Sequence, residues 1–238
     1  MIQHLPRTEA QTVAAAWAAS QCQNTMARFT NIREAGMTAG QFQALWADRD
    51  DSSVEMTWGT YTGYDGIKRC FDGGFHAFFA GDNIGDMAIH SMNTPVIEVA
   101  GDGKTARGVF FSPGVETSTD PETGKARCNW CWIKYGVDFI CEDGRWYIWH
   151  FSTFGTFMCD FYKSWGDEEI RPGCLREDNW IETHVPKDYW PDAPITHNDW
   201  VYRTDVAPEL NPVPPLPYGT FEEVGYNICC PTATTKKE

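Results

Sequence analysis

Cys128 and Cys131, in the segment CNWC, have the spacing of a dithiol redox pair. Such a pair works when its first thiol sits at a helix N-terminus, where the helix dipole lowers the thiol pKa. Here the surrounding run, ARCNWCWIKYGVDFIC, is β-rich on both sides. Residues three apart on a strand point to opposite faces, so the two sulfurs separate. Cys128 then shares a face with Trp130, Trp132 and Lys134, while Cys131 shares one with Ile133, Tyr135 and Val137. Zinc fares no better, because no second cysteine pair or histidine pair stands at ligand spacing. The motif predicts a strand, with no redox pair and no metal site.

Acid–base chemistry is the better prospect. His90, in MAIHSMNTP, carries a group that titrates near neutrality. It could take a proton from a carbon beside a carbonyl or give one to a leaving hydroxyl, or it could be a hydrogen-bonded structural histidine. Tyr61 could donate to a developing oxyanion, or simply pack as a turn aromatic. Lys134 could steady an enolate or phenolate if its face lines a cavity, and would snorkel over Trp130 and Trp132 if that face points outward. Alternation does not choose between the faces, since both are aromatic-rich. Asp48, Asp50 and Asp51 cluster before a short strand, with Asp50 the first to test as an orienting or basic carboxylate; three acids in four residues also suit a solvated loop. His150 is a second imidazole, packed in the sheet or facing a cavity beside Trp146. With His150, the aromatic residues Trp58, Trp130, Trp132, Trp146 and Phe157 are candidate walls for a ring-shaped substrate, core packing being the alternative for each.

The elements that must hold these groups are legible in outline. TEAQTVAAAWAASQCQNTMARF (8–29) predicts a helix, with Val13, Trp17, Ser20, Asn24 and Met26 on its more apolar face. TAGQFQALWA (38–47) predicts a shorter one capped by Thr38. VEMTW is a short strand, and a helix weakened by Gly73 and Gly74 follows in IKRCFDGGFHAFFAG. From Met87 on, turn signals in AGDGK, DPETGK and EDGR separate four β-rich runs, an antiparallel meander. Pro95, Gly108, Pro113, Gly136 and Gly155 inside those runs predict bulges and strong curvature. Helices followed by such a sheet give an α+β class. The organisation expected is one domain over residues 1–166 and an extended Pro- and aromatic-rich C-terminal arm over 167–238, lying on its own or a neighbouring subunit, with a disordered tail, PTATTKKE.

A net charge of −14 over 238 residues repels phosphate backbones and anionic membranes, so nucleic acid is not an expected partner. No apolar run reaches the ~18 residues of a membrane span, and the N-terminus lacks the order of a secretory signal. Nine scattered cysteines suit a reducing compartment, and the expectation is a cytoplasmic protein.

The helix ending QNTMARF, the stretch LWADRDDSSVEMTWGTYTGYDGIKRCF, and the hairpin WCWIKYGVDFICEDGRWYIWHF together resemble the NTF2-like, SnoaL-like superfamily over about residues 10–165. Within it the chain looks most like the dehydratase-type branch of scytalone dehydratase, bile-acid dehydratase and lyases that release formaldehyde from lignin-derived diarylpropane diols. The resemblance implies a cone-shaped α+β barrel, N-terminal helices packed in a strongly curved antiparallel sheet. It also implies catalysis with no cofactor or metal, by a histidine with tyrosine and aspartate inside the cone. His90 and Tyr61 match that pattern, whereas Phe29 stands where a further tyrosine is expected, which leaves room for a different lyase or an isomerase. The function implied is a cofactor-independent lyase eliminating water or formaldehyde from a hydroxylated aromatic or polycyclic small molecule. The alternatives are an isomerase using the same proton shuttle and a non-catalytic binding or assembly module. Association through the convex sheet face implies a homo-oligomer, a dimer or trimer.

Overall fold

In the computed structural model, residues 5–35, 39–75, 84–119, 123–166, 171–172, 180–196 and 202–223 are described. Helix α1 (Glu9–Glu34) starts at a capping box: Thr8 Oγ1 accepts from the Gln11 amide, and Gln11 Oε1 accepts from the Thr8 amide. It runs past the expected end at Phe29 because nothing breaks it before Ala35, and this last turn carries Arg33 toward the sheet. The stripe it buries is Ala18, Cys22, Met26 and Phe29, spaced at three and four residues. Val13 and Trp17, expected on the inner face, are exposed, so the apolar face lies about a quarter-turn from where composition suggested.

After α2 (Ala39–Gln43) come β1 (Ser53–Met56) and β2 (Gly59–Thr62), a hairpin whose second strand lies in a stretch that reads as turn-rich. Helix α3 (Tyr64–Arg69) begins earlier than expected and widens into π-helical turns over Cys70–Phe75. A side chain on Gly73 would collide with the Tyr189 ring, its Cβ only 2.1 Å from Tyr189 Cβ, so glycine there admits the C-terminal arm. The rest of the expected third helix, the Thr38 cap, Cys174, Cys229, Cys230 and the tail lie outside the described residues.

The first β-rich run divides at Ser91 into β3 (Met87–His90) and β4 (Asn93–Val99), both antiparallel to β5 (Thr105–Thr119). Long strands β6 (Ala126–Glu142) and β7 (Arg145–Asp160) continue the antiparallel ladder. A two-residue β8 (Arg171–Pro172) pairs with β7. Strand order is β2-β1-β7-β6-β5-β3, and β1 pairs with β7 in parallel, so the curved sheet is mixed and unclosed. Registers slip between Asn93 and Val96, beside Pro95, and where Ile133 pairs with Gly155; Gly108, Pro113 and Gly136 sit in unbroken register. Helix α1 packs against β3, β4, β5 and β7. Phe29 sits in an aromatic interior with Phe42, Trp46, Phe71, Tyr135 and Phe151.

Described stretches between residues 180 and 223 contact the sheet of the same chain. Short helix α4 (Trp180–His184) leads to a strand-like contact in which the Thr60 amide donates to the Ala193 carbonyl. Further on, the Tyr202 amide donates to Thr156, Lys134 Nζ to the Asn211 carbonyl at 2.9 Å, and the Gly101 amide to Tyr218. The segment therefore crosses the outer face of β7, β6 and β5.

Candidate acid-base site

Strand alternation assembles the site. The β3–β5 and β5–β6 ladders align His90, Gly114 and Cys131 in one row across the inner face. Two residues to either side of Gly114 on β5, Ser112 and Glu116 point the same way. From β6, Tyr135 shares the face of Cys131, and Arg33 reaches in from the last turn of α1. Gly114 is needed because a Cβ there would lie 2.7 Å from His90 Cε1 and 2.6 Å from the Ile89 carbonyl oxygen.

His90 is 0% exposed. Its Nε2 is 3.0 Å from Glu116 Oε1, and its Nδ1 is 3.4 Å from Ser112 Oγ. Arg33 Nη2 donates to the same Glu116 Oε1 at 2.6 Å, while Arg33 Nη1 donates to the Tyr135 hydroxyl at 2.9 Å. Burial, and then the positive charge of Arg33, lower the His90 pKa below its ordinary value, against the pull of Glu116. Burial pushes the Tyr135 hydroxyl up to about 12, with Arg33 opposing the rise. At neutral pH the imidazole is therefore uncharged, a base held in place by an ion-paired carboxylate. His90, Glu116 and Cys131 place donor atoms within 4.8 Å of one another, a set that could bind a cation. The Glu116 oxygen is already shared by Arg33 and His90, and the adjacent guanidinium opposes a second positive charge, so the set suits proton transfer better than a metal.

The other predicted residues do not gather here. Tyr61 is fully buried on β2, at the opposite edge of the sheet order from β3; it donates to the Tyr189 carbonyl at 3.0 Å and accepts from Trp58 Nε1. Burial raises its pKa. Lys134 lies on the outer face under the arm, its ammonium over the Phe111 ring and bonded to Asn211, with burial lowering its pKa. Strand parity thus puts Trp130 and Trp132 outside as well, where Trp130 stacks on Phe161 and Trp132, 44% exposed, on Phe157. Neither Cys128 nor Cys131 is in a disulfide, and the two lie on opposite faces. Asp50 is exposed in its loop, and its neighbour Asp51 is the anchored acid, drawn down to about 2 by Arg49 and bonded by Trp149. Trp146 is buried beneath a polar cleft of about 630 Å³ between α1, α2 and the start of β7, with Arg28 and Arg145 on its walls.

His150 belongs to a different cluster. Its Nδ1 is 2.9 Å from Asp138 Oδ2, and Asp138 Oδ1 is 3.4 Å from Arg107 Nε. These three lie across β5, β6 and β7 on the outer face, and the Arg107 guanidinium is covered by the rings of Tyr218 and Phe221 from the arm. Asp138 and Arg107 are fully buried there.

Sequence reasoning singled out His90 but not the residues packed around it, Glu116, Ser112, Tyr135 and Arg33. A signal existed for two of them: once His90 is paired with Gly114, period-two alternation sends Ser112 and Glu116 to the histidine's side. Nothing local announces Arg33, which depends on how far α1 extends.

Residues 14–152 match the family model of the SnoaL-like domain. No curated protein matches the chain by sequence. Among solved structures, a candidate scytalone dehydratase from Novosphingobium aromaticivorans is 15% identical with a TM-score of 0.51, covering 64% of this chain and 93% of its own. LinA is 12% identical with a TM-score of 0.52, covering 65% of this chain and 96% of its own. A LinA-type hexachlorocyclohexane dehydrochlorinase from Novosphingobium barchaimii is 12% identical with a TM-score of 0.48, covering 66% and 97%. At these identities the likeness of the first two speaks to the fold alone. Among the described residues no helix is long and apolar enough to cross a membrane. With an α1-packed, unclosed curved sheet and a domain match over more than half its length, the chain belongs to the SnoaL-like family.

Proposed function

We propose that the protein is a lyase that eliminates a small leaving group, water or formaldehyde, from a hydroxylated aromatic or polycyclic molecule, using side chains alone to move the proton. The observation that carries this reading is the state of His90: buried, uncharged at neutral pH, and fixed between Glu116 and Ser112. An uncharged imidazole held by a carboxylate can accept a proton, which supports this reading. Solved structures of similar fold include a candidate scytalone dehydratase, in keeping with elimination chemistry. Lys134 and Asp50 have no part in this scheme.

Nitrobenzisoxazole provides the test, since removal of its ring proton breaks the N–O bond and releases a coloured cyanonitrophenolate. The wild-type chain should open this probe well above the buffer rate, and His90→Gln should lower that rate by ~100-fold. A wild-type rate equal to buffer, or an unaffected His90→Gln variant, would overturn the reading. With hydroxylated aromatic substrates, product mass then separates elimination, which loses water or formaldehyde, from isomerisation, which loses nothing. Assembly as a homo-oligomer would use the outer-face surface left open by the arm, where Phe111 and Trp132 are exposed; sedimentation velocity tests it.

A further inference from the structure

The cleft of about 630 Å³ between α1, α2 and the start of β7 shares no residue with the His90 cluster, and its size suits a small organic molecule. One wall is a stripe of α1, Asn24, Arg28 and Asn31, spaced at four and three residues so that all project from one side of the helix. Arg145, the first residue of β7, stands on another wall, and buried Leu45 and Trp146 form an apolar floor. These walls are tied to one another. Thr25 Oγ1 donates to the Trp146 carbonyl at 3.3 Å, the Ile148 amide to the Leu45 carbonyl, and the Ala47 amide to the Ile148 carbonyl. Helix, loop and strand thus hold the cleft in shape.

Charge sets it apart from the rest of the surface. The chain carries −14 overall, yet no carboxylate lines the cleft among the described residues. Arg33, Arg49, Arg69, Arg107 and Arg203 each face a carboxylate at 2.6 to 3.4 Å, whereas Arg28 and Arg145 have no acidic partner among the described residues. Glu142, opposite Arg145 in the β6–β7 hairpin, turns its carboxylate to Arg49 instead, at 3.4 Å. The Arg145 guanidinium rests over the Tyr147 ring, 4.7 Å from its centroid, a contact that uses the face of the cation and leaves its N–H edge free.

We propose that this cleft binds a small organic anion, its carboxylate or phosphate head held by Arg28 and Arg145 and its apolar body laid over Leu45 and Trp146. A guanidinium presents its N–H donors in a flat fork that matches either head. The side-chain amides of Asn24 and Asn31 are neutral and suit a hydroxyl or carbonyl on the body of the ligand. An acidic surface disfavours the same anion elsewhere, which leaves the cleft as its place of binding. Binding here breaks no bond and does not depend on the elimination reading.

Isothermal titration calorimetry with phenyl phosphate, 4-hydroxybenzoate, inorganic phosphate and phenol tests it. At least one of the two aromatic anions should bind, and the tighter of them identifies the head. Phenol, which lacks the head, and inorganic phosphate, which lacks the body, should each bind ~10-fold or more weakly than that anion. Arg28→Gln and Arg145→Gln should each raise its Kd by ~10-fold, and Asn24→Asp, which puts a carboxylate on the wall, should do the same. All three positions are exposed, so unchanged thermal melting separates lost binding from lost fold. His90→Gln should bind the anion as tightly as wild type. Failure of both aromatic anions to bind, or wild-type affinity in the two arginine variants, would overturn the site. So would phenol or inorganic phosphate binding as tightly as the aromatic anion. A loss of affinity in His90→Gln would move the anion to the acid-base cluster and overturn the assignment to this cleft.

Discussion

Gly114 stands directly opposite His90 in the β3–β5 ladder, and a Cβ added to it would lie 2.6 Å from His90 Nδ1. No side chain fits between this strand and the imidazole. Gly114→Ala should therefore push His90 away from Glu116 and Ser112, at an overpacking cost of ~1–3 kcal/mol. Activity on nitrobenzisoxazole should fall toward that of His90→Gln. Urea unfolding together with the rate checks it, and an alanine variant with native stability and rate would mean that the ring moves freely.

His90 also links stability to pH. Its pKa is lower in the folded chain than its ordinary 6.5, by burial first and Arg33 second. The unfolded chain consequently binds the proton first as pH falls. The contribution of His90 is complete above about pH 6.5 and is lost progressively as pH drops from there through the folded value. Unfolding free energies of wild type and His90→Gln between pH 5 and 8 should show a steeper acid decline in the wild type. Parallel curves would contradict the assignment.

The outer-face cluster gives a purely structural prediction. Asp138 stands between Arg107 and His150, out of contact with water. Asp138→Ala removes a buried carboxylate from between Arg107 and His150, which should cost ~3–5 kcal/mol. Chemical denaturation reads this directly. The circular dichroism of Tyr218 and Phe221, whose rings cover the guanidinium, should change in the same variant.

Lys134→Met should leave probe turnover within ~2-fold of wild type, because Lys134 points to the arm and not to His90. A large loss would mean that the outer face takes part in the chemistry.

The fold was largely legible in the sequence because its signals are periodic: long β-rich runs, turn glycines and an Ala-rich helix. What escaped depended on partners distant in the chain. The face of β6 could not be chosen, since Trp130 and Trp132 on one side and Tyr135 and Phe139 on the other are equally apolar in type. The arm settled it by covering Lys134. The parallel β1–β7 pairing left no local trace, because its two strands are far apart in the chain. Of the site, His90 was visible by residue type. Glu116 was obscured by its place in a run rich in Pro, Gly and Thr, and Arg33 by the unseen final turn of α1.

Strand β6 is committed on both sides. One side of it supplies Cys131 and Tyr135 to the interior, and the other supplies Lys134 and Asp138 to the seat of the arm. Deleting or inserting a single residue within it would turn the phenol outward and the ammonium inward, undoing the contact with Arg33 and the arm's anchorage at one stroke. Length variation in homologues should thus be confined to the hairpin ends of this strand, leaving the stretch from Cys131 to Asp138 fixed in length even where its residues change.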